Sequence, residues 1–288
     1  MSKPPRYLQL RFVLALLSAS TLLGAGPSAA DSKILATSGG QQIEGQGGGG
    51  LVPWALLAGY AEAGEWGGSV AATGVRVDDF DLRVFGAALN VGNRVEVSLA
   101  SQRLKVQPLN LSIDQDILAM KWRIAGHVLY DAMPAITLGA QAKRLRDFAV
   151  PELLGADKDH GIDFTASASK LWLNSVAGRN VFANMTLRHT SANQTGLLGF
   201  GTRDSRSDDS WVAEGSVALF LNRHWAVGAE YRQKPDHLEA VKEDDWRDVF
   251  VGWFPNKRVS VIAAYADLGS IAGLPDQSGV YLSLQVTE

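Results

Sequence analysis

Apolar and polar side chains alternate along most of the chain, and the last ten residues give the clearest example. Val280, Leu282 and Leu284 alternate there with Tyr281 and Ser283. Successive side chains of an extended chain point to opposite faces, so a period of two predicts a two-faced β-strand. No stretch shows a convincing apolar period of 3.6 residues, which is the period that a helix requires. The pattern predicts an all-β protein.

Thirteen alternating runs can be counted from Leu51 onward, and the first of them, Leu51 to Ala61, precedes a turn at residues 63–65. A single-chain bacterial outer-membrane barrel has an even number of strands. If residues 33–42 supply one more strand, the count becomes fourteen, and this is the number that we expect. If one of the thirteen runs is not a strand, the count becomes twelve.

The lengths of the runs and of their connections favour a membrane barrel over a soluble β-sandwich. The runs are about ten residues long, the length that a tilted strand needs to cross a membrane. Short turns alternate with longer loops, as in outer-membrane barrels. Trp66, Trp211, Trp225 and Trp246 fall near strand ends, where indole rings suit the lipid headgroup level. We therefore predict a single transmembrane antiparallel β-barrel of 12 to 14 strands.

The C-terminal strand also resembles the signal by which Gram-negative outer-membrane barrels are recognised for insertion. Gln277, Gly279, Leu282 and Leu284 stand at the expected polar, glycine and apolar positions. Such barrels usually end on an aromatic residue, whereas this chain ends on Thr287 and Glu288. The resemblance implies insertion into the outer membrane.

The N-terminal region divides into two segments ahead of the barrel. Residues 1–30 combine Lys3, Arg6 and Arg11 with an apolar run and with small residues before Asp31. This order predicts a secretory signal peptide, and the apolar run is shorter than the roughly 20 residues of a spanning helix. Residues 31–50 are rich in glycine and form either a plug near the pore, with Gly47, Gly48, Gly49 and Gly50 as its candidate residues, or a flexible leader. Residues 51–288 are assigned to the barrel.

Composition excludes several classes of function. The chain has no cysteine, which rules out thiol enzymes, zinc–thiolate sites and disulfides. A net charge of −3 gives no basic surplus for nucleic acid. We expect no cofactor and no nucleic-acid partner. The partners expected are outer-membrane lipid and lipopolysaccharide, the barrel-assembly machinery and an unidentified small solute.

Charged residues on the polar faces of the strands are candidates for lining the lumen. They carry both signs, as expected for a hydrated lumen with cross-strand ion pairs. An open pore and a closed salt-bridge network are both compatible with such a set. The candidates are Arg83, Arg94, Glu96, Lys121, Arg123, Lys143, Arg188, Glu214, Glu230, Arg232 and Asp248.

One constellation could carry catalysis. His189 and Ser191 lie two residues apart on one strand, with Glu214 as a possible orienting group. A serine nucleophile needs an adjacent base, and the base needs an orienting partner. The spacing would suit an acyl-ester hydrolase of the lipid A deacylase or phospholipase type. The simpler interpretation is a pair of polar residues where a strand meets a loop.

Metal binding has weaker support. The five histidines are isolated in the sequence. The acidic stretches at residues 157–160 and 243–245 are most simply solvated loops, although a calcium ion held by a loop remains an alternative. We expect no metal site.

Several stretches resemble a family of uncharacterised Gram-negative exported proteins that is classed only as a domain of unknown function. The matching stretches are residues 43–45, 47–55, 192–201, 226–232, 234–235 and 243–246. The resemblance implies an outer-membrane barrel and assigns neither a substrate nor an active site. We expect a passive pore or transporter for small solutes and not an enzyme. The alternatives are the hydrolase and a structural or adhesive barrel.

Overall fold

The structure of the protein, a computed structural model, describes residues 35–36, 39–203 and 209–288. The predicted signal peptide lies outside the described residues. Two short strands, β1 (Gly40–Gln41) and β2 (Gly47–Gly48), precede a closed barrel of twelve strands. The barrel strands are β3 (Trp66–Val77), β4 (Phe80–Val91), β5 (Val95–Val106), β6 (Leu111–Ala125), β7 (Ala135–Leu145), β8 (His160–Val176), β9 (Arg179–Thr190), β10 (Ser210–Phe220), β11 (Trp225–Arg232), β12 (Trp246–Asn256), β13 (Val259–Asp267) and β14 (Ser278–Thr287).

The wall is an up-and-down meander in which every strand pairs antiparallel with its neighbours in sequence. β14 closes the barrel against β3, with Tyr281 opposite Val75 and Gln285 opposite Ala71. Full closure leaves no unpaired strand edge. The predicted all-β antiparallel barrel is confirmed.

The expected count of fourteen strands is wrong, and the alternative of twelve is correct. The run from Leu51 to Ala61 alternates in sequence but forms no strand of the wall. Among the described residues of 33–42, the strand is Gly40–Gln41, and it pairs with β2 instead of with the wall. Glycine lies close to the apolar residues of both segments, and residues 51–61 also contain Pro53, which favours turns over an extended wall strand.

The two ends of the barrel differ in their connections. At one end, called here the turn end, the wall begins at Trp66 and finishes at Thr287, and the hairpins are short except for residues 126–134. At the other, called the loop end, residues 146–159, 191–209, 233–245 and 268–277 form the longer connections. These include the short helix α1 (Ala149–Leu153) and a 3-10 turn at Asn193–Gly196. No helix among the described residues is both long enough and apolar enough to span a membrane.

The outer face of the wall carries an apolar band. Phe85, Leu118, Met185, Val249 and Leu282 are all exposed there. Towards the loop end the same face becomes charged, with a bidentate ion pair between Arg103 and Asp114 and another between Arg146 and Asp116. Trp246 differs from its predicted position at the lipid interface, because its side chain is buried and lies beneath the Lys234 ammonium.

Candidate functional site

The inside of the barrel is occupied by a buried stretch of chain, residues 39–61, called here the luminal segment. Its first part is a hairpin formed by β1 and β2, closed by a bond from the Gln42 N–H to the Gln46 carbonyl (2.9 Å). Gly45 adopts a φ of 90° at the tip, a backbone conformation that glycine accepts without strain. The hairpin tip points towards the loop end, and the segment returns to Tyr60 and Ala61 at the turn end.

A lysine and a glutamate near the turn end hold the returning part of the segment. The Lys121 ammonium donates to the carbonyls of Gly47 and Leu56 (2.8 and 2.6 Å) and also to that of Trp54. Glu96, directly opposite Lys121 on the neighbouring strand, accepts from the backbone N–H groups of Gly47 and Ala58 (3.1 and 2.6 Å). The two side chains thus satisfy backbone groups that have no strand partner of their own.

A second carboxylate, Glu230 on β11, binds the middle of the segment. Its Oε2 accepts from the N–H groups of Gly50 and Leu51 (2.7 and 2.6 Å), and its Oε1 accepts from the Ser216 hydroxyl (2.6 Å). Gly49 lies so close that a Cβ built on it would overlap the Glu230 carboxylate. Only glycine therefore fits at position 49 without displacing the segment or the Glu230 carboxylate that binds it.

Polar side chains of β8 and β9 complete the backbone contacts. The Ala55 N–H donates to the Ser169 hydroxyl (2.9 Å), and the Pro53 carbonyl accepts from Thr186 (2.9 Å) and Asn184 (3.2 Å). These residues come from strands that lie a quarter to a third of the way around the barrel from β5, which carries Glu96. The segment is therefore held by hydrogen bonds to several strands of the wall.

The most highly charged part of the lumen surrounds the hairpin tip. Glu44 Oε1 lies 2.5 Å from Lys143 Nζ and 2.9 Å from Arg232 Nη2, and its Oε2 lies 3.2 Å from Arg188 Nη2. All four side chains are buried. Burial would raise the pKa of Glu44, but the positive charges of Arg188, Arg232 and Lys143 hold it well below its usual range.

Two further carboxylates from the wall belong to this group. Asp163 Oδ2 contacts Lys143 Nζ (2.6 Å) and Arg188 Nη1 (3.0 Å), and Glu214 Oε1 contacts Arg188 Nε (2.5 Å). The charge cluster thus consists of Glu44, Lys143, Asp163, Arg188, Glu214 and Arg232. Three cations balance three anions, which is the condition under which buried charges are tolerated.

The loop between β9 and β10 folds over the hairpin tip from the loop end. Residues 192–201, called here the outer cap, are buried. Gln194 and Thr195 have positive φ angles of 46° and 61°, and the Thr195 carbonyl accepts from Lys143 (3.1 Å). The cap is therefore bonded to the charge cluster through Lys143.

A buried ion pair from the next long loop anchors the cap. Lys234 Nζ donates to Gln194 Oε1 (2.5 Å), and the Gln194 N–H donates to Glu243 Oε1 (2.8 Å). Burial raises the pKa of Glu243 and lowers that of Lys234, although the two charged groups lie 3.2 Å apart. Loss of solvation thus outweighs their mutual attraction.

One luminal carboxylate lacks a partner. Asp248 faces Glu230 directly across the β11–β12 pair, it is 95% buried, and neither of its carboxylate oxygens accepts a hydrogen bond. Both carboxylates approach Gly50 of the luminal segment. Two like charges placed opposite each other on a sheet repel, so this position is strained electrostatically.

The structure brings most of the predicted lumen-lining residues inside the barrel. Eight of them are buried on the inner face: Glu96, Lys121, Lys143, Arg188, Glu214, Glu230, Arg232 and Asp248. The candidate plug glycines, Gly47 to Gly50, lie in the lumen against these residues.

Three of the predicted lumen-lining residues lie elsewhere. Arg83 is on the outer face, because near the loop end it is the apolar Leu82 and Val84 that point inward. Arg94 is exposed in the turn between β4 and β5. Arg123 is half-buried at the turn end. For Arg83 and Arg94, solvent beyond the apolar band satisfies the charge, so neither residue needs a luminal partner.

The residues of the predicted catalytic constellation are not brought together. The imidazole of His189 packs against the Trp211 ring with a centroid distance of 4.8 Å, on the outer face of the wall. Glu214 lies on the inner face, where Arg188 binds it. A base and its orienting carboxylate must share a hydrogen bond, and here the wall separates them. Ser191 is half-buried at the start of the loop.

Within the described ranges, the side chains of His, Asp and Glu form no group of three or more that could hold a metal ion. The acidic residues at 243–245 instead take part in protein contacts. Glu243 binds the outer cap, and Asp244 accepts from the Ser270 N–H (3.0 Å).

Sequence reasoning missed three central residues of the site, Glu44, Asp163 and Gln141. Gln141 accepts from Arg188 Nη1 (2.8 Å) and donates to Gln46 (2.6 Å). Asp163 and Gln141 could have been found as polar residues on inward faces of their strands. Glu44 carried a different signal, since it is the lone charge in a glycine-rich stretch.

Comparison with solved structures finds outer-membrane proteins of low sequence identity. The KdgM porin is 9% identical with a TM-score of 0.49, over 76% of this chain and 98% of its own. An outer-membrane channel from Pseudomonas putida F1 is 12% identical with a TM-score of 0.45, over 80% and 97%. Outer-membrane phospholipase A from Escherichia coli is 7% identical with a TM-score of 0.36, over 78% and 97%. These likenesses extend to the fold alone.

Sequence comparison is more specific about the family than about function. No curated protein matches the sequence. The profile of a family described as "Protein of unknown function (DUF3034)" matches residues 37–285, which include the luminal segment, the outer cap and all twelve wall strands up to Gln285. The resemblance to a family of unknown function, noted from the sequence, is confirmed at this level. The chain belongs to the DUF3034 family.

Proposed function

We propose that this protein is an outer-membrane pore or transporter for small solutes, closed in the described conformation by the luminal segment. The observation that carries the proposal is the polar inner face. Buried Glu96, Lys121, Glu230 and the charge cluster all point into the lumen. Buried charges are costly, so a barrel that served only as a structural anchor would gain stability from an apolar filling.

The apolar band on the outer face supports the membrane location. Leu118, Met185, Val249 and Leu282 belong to this band, and lipid-facing residues of membrane barrels are apolar in the same way. The turn end would face the periplasm and the loop end would face outward, as is usual for barrels with short inner turns. Insertion also rests on the predicted signal peptide.

The attachment of the luminal segment supports its removal as the opening step. After Ala61 the chain connects the segment to β3 at the turn end, through residues 62–65. Its hydrogen bonds run to side chains such as Lys121 and Glu230 and not to a continuous strand ladder. Side-chain contacts can be released without unzipping the wall, so the lumen can open while the barrel stays closed on itself.

Single-channel recording in planar bilayers tests the proposal. Gly49→Val should displace the segment, because its side chain would overlap the Glu230 carboxylate. We expect openings to become about tenfold more frequent than in the wild type, which corresponds to roughly 1.4 kcal/mol. Gly74→Val is the matched control, since a Cβ at Gly74 meets no atom within 4 Å.

The outcomes separate the candidate functions. Heat-modifiability on a gel establishes that each variant forms a folded barrel. Folded wild-type and Gly49→Val proteins that both fail to conduct would refute the pore and leave the structural or adhesive barrel. Hydrolysis of phospholipid or lipid A by the wild-type protein would instead favour the acyl-ester hydrolase.

A further inference from the structure

The charge cluster can be divided into a part supplied by the wall and a part supplied by the luminal segment. Lys143, Arg188 and Arg232 come from β7, β9 and β11, and Asp163 and Glu214 come from β8 and β10. Only Glu44 comes from the segment. When the segment withdraws, the wall therefore keeps three cations and two carboxylates.

Within the charge cluster, the wall residues alone would leave one positive charge unbalanced. In the closed barrel Glu44 supplies the missing negative charge, and all members of the cluster are buried. An unpaired charge in such a site is unfavourable. The three cations would therefore attract another anionic group to the place that Glu44 vacates.

The donors at this place match the shape of a carboxylate. Lys143 Nζ and Arg232 Nη2 approach one oxygen of Glu44, and Arg188 Nη2 approaches the other. The other nitrogen atoms of these two guanidinium groups bind the wall and the segment. Arg188 Nε binds Glu214, and Arg232 Nη1 donates to the Leu51 carbonyl (3.1 Å). Arg188 and Lys143 are thus fixed largely by the wall, and donors that are already oriented bind a carboxylate at little further cost in entropy.

The cluster also lies where an entering solute would reach it first. The Thr195 carbonyl of the outer cap, which comes from a connection at the loop end, accepts from Lys143. A solute that passes the cap from the loop end therefore meets these cations before it meets the rest of the luminal segment.

We infer that Glu44 stands in for the carboxylate of the transported solute, so that a small carboxylate-bearing anion replaces Glu44 between Lys143, Arg188 and Arg232 and thereby releases the luminal segment. This inference rests on the proposed function, and it names the chemical class of the cargo. It also couples opening to cargo, since the same donors cannot hold both carboxylates at once.

Binding can be measured without conductance. Glu44→Gln removes the internal competitor and leaves the wall cations in place. We expect the detergent-solubilised variant to bind glutarate at least about tenfold more tightly than the wild type in calorimetric titration, since the wild type must first expel Glu44. Glutaramide, the neutral diamide, should not bind. Glu152→Gln, at an exposed carboxylate on α1, is the matched control and should behave as the wild type.

A second substitution locates the site. Adding Arg232→Gln to Glu44→Gln should abolish glutarate binding, because Arg232 is one of the three donors to the Glu44 carboxylate. Glutarate binding that survives in the double variant would overturn the assignment of the site.

Two further outcomes would overturn the inference or its assignment to carboxylates. No glutarate binding by folded Glu44→Gln would overturn the inference, and inorganic phosphate binding as tightly as glutarate would overturn the assignment to carboxylates. Either result leaves the pore intact if Gly49→Val still conducts more than the wild type. Loss of the pore itself is read only from the conductance of the wild type and Gly49→Val.

Discussion

The wall and the luminal segment differ in how their backbone hydrogen bonds are satisfied. Wall strands pair through backbone hydrogen bonds along their length, as where β5 meets β6 from Val95 to Val106. The segment has the two-residue pairing of β1 with β2, an isolated bridge between Gly48 and Pro53 and a few turn bonds, and it is bonded to the wall through side chains such as Lys121, Glu96 and Glu230. The wall therefore tolerates single substitutions, whereas the segment depends on a few side chains.

This difference separates folding from closure. Glycine-rich backbone loses much conformational entropy when it is ordered, so the segment stays in place only while its side-chain contacts compensate for that loss. Removing one contact should shift the closed–open equilibrium long before it unfolds the barrel. Variants can therefore be chosen that break one region and spare the other.

The largest effect is expected at Arg188, a residue of the wall that also contacts the luminal segment. Arg188→Met would leave Glu214, Asp163 and Glu44 without one of their cations. Breaking a buried ion pair from one side costs about 3–5 kcal/mol, and we expect a loss of stability of this order in urea titrations of the folded, heat-modifiable form. Arg83→Met, at an exposed arginine on the outer face, should change stability by no more than about 0.5 kcal/mol. Equal losses for the two variants would contradict the assignment of inner and outer faces.

A smaller effect, confined to closure, is expected at Lys121. Lys121→Met removes three hydrogen bonds to the carbonyls of the luminal segment, and unsatisfied buried groups cost about 1–3 kcal/mol. Channel openings should become at least about tenfold more frequent. Lys105→Met, at an exposed lysine of β5, serves as the control. An unchanged opening frequency in a folded Lys121→Met barrel would argue that this lysine does not hold the segment.

A gain of stability is expected at Asp248. Asp248→Asn removes a buried carboxylate that accepts no hydrogen bond and that faces Glu230. We expect stabilisation by about 1 kcal/mol in the same urea titration, the usual scale for an unsatisfied group. Asp78→Asn, at an exposed position beyond β3, should be neutral. Destabilisation by Asp248→Asn would show that Asp248 has a partner in solution.

The smallest effect is expected from mild acid. Glu44 belongs to the luminal segment, and its lowered pKa means that its ion pairs are fully formed above the ordinary glutamate pKa of about 4.3. A group with a depressed folded pKa loses its contribution only as the pH falls through that lower value. Closure by Glu44 should therefore be constant from neutral pH down to about the ordinary value. Openings that increase already above it in the wild type, but not in Glu44→Gln, would contradict the ion pairs described for Glu44.

The sequence was sufficient to predict the wall because a period of two is a local property. It failed at residues 51–61, where apolar residues suit a wall strand and a buried luminal turn equally well. It also failed at Arg83, because the polar and apolar faces exchange places near the loop end, where the outer face meets water. Both errors arise where burial is decided by distant parts of the chain.

The charge cluster was harder to predict from the sequence than the wall. Glu44 and Arg188 are 144 positions apart in the chain, and their contact depends on barrel closure and on the course of the hairpin. Only the cross-strand pairs, such as Glu96 with Lys121, follow from the register of neighbouring strands.

The most direct test of closure by the luminal segment is to tether it to the wall. A Cβ built on Gly45 would lie 2.7 Å from the Ala100 Cβ, so a shift of about 1 Å brings Gly45→Cys and Ala100→Cys to disulfide geometry. The chain has no other cysteine. In planar bilayers the oxidised protein should show no openings, and reduction should restore openings at least as frequent as those of the wild type, because a cysteine at the positive φ of residue 45 is strained. Oxidised protein that conducts as often as reduced protein would contradict the account.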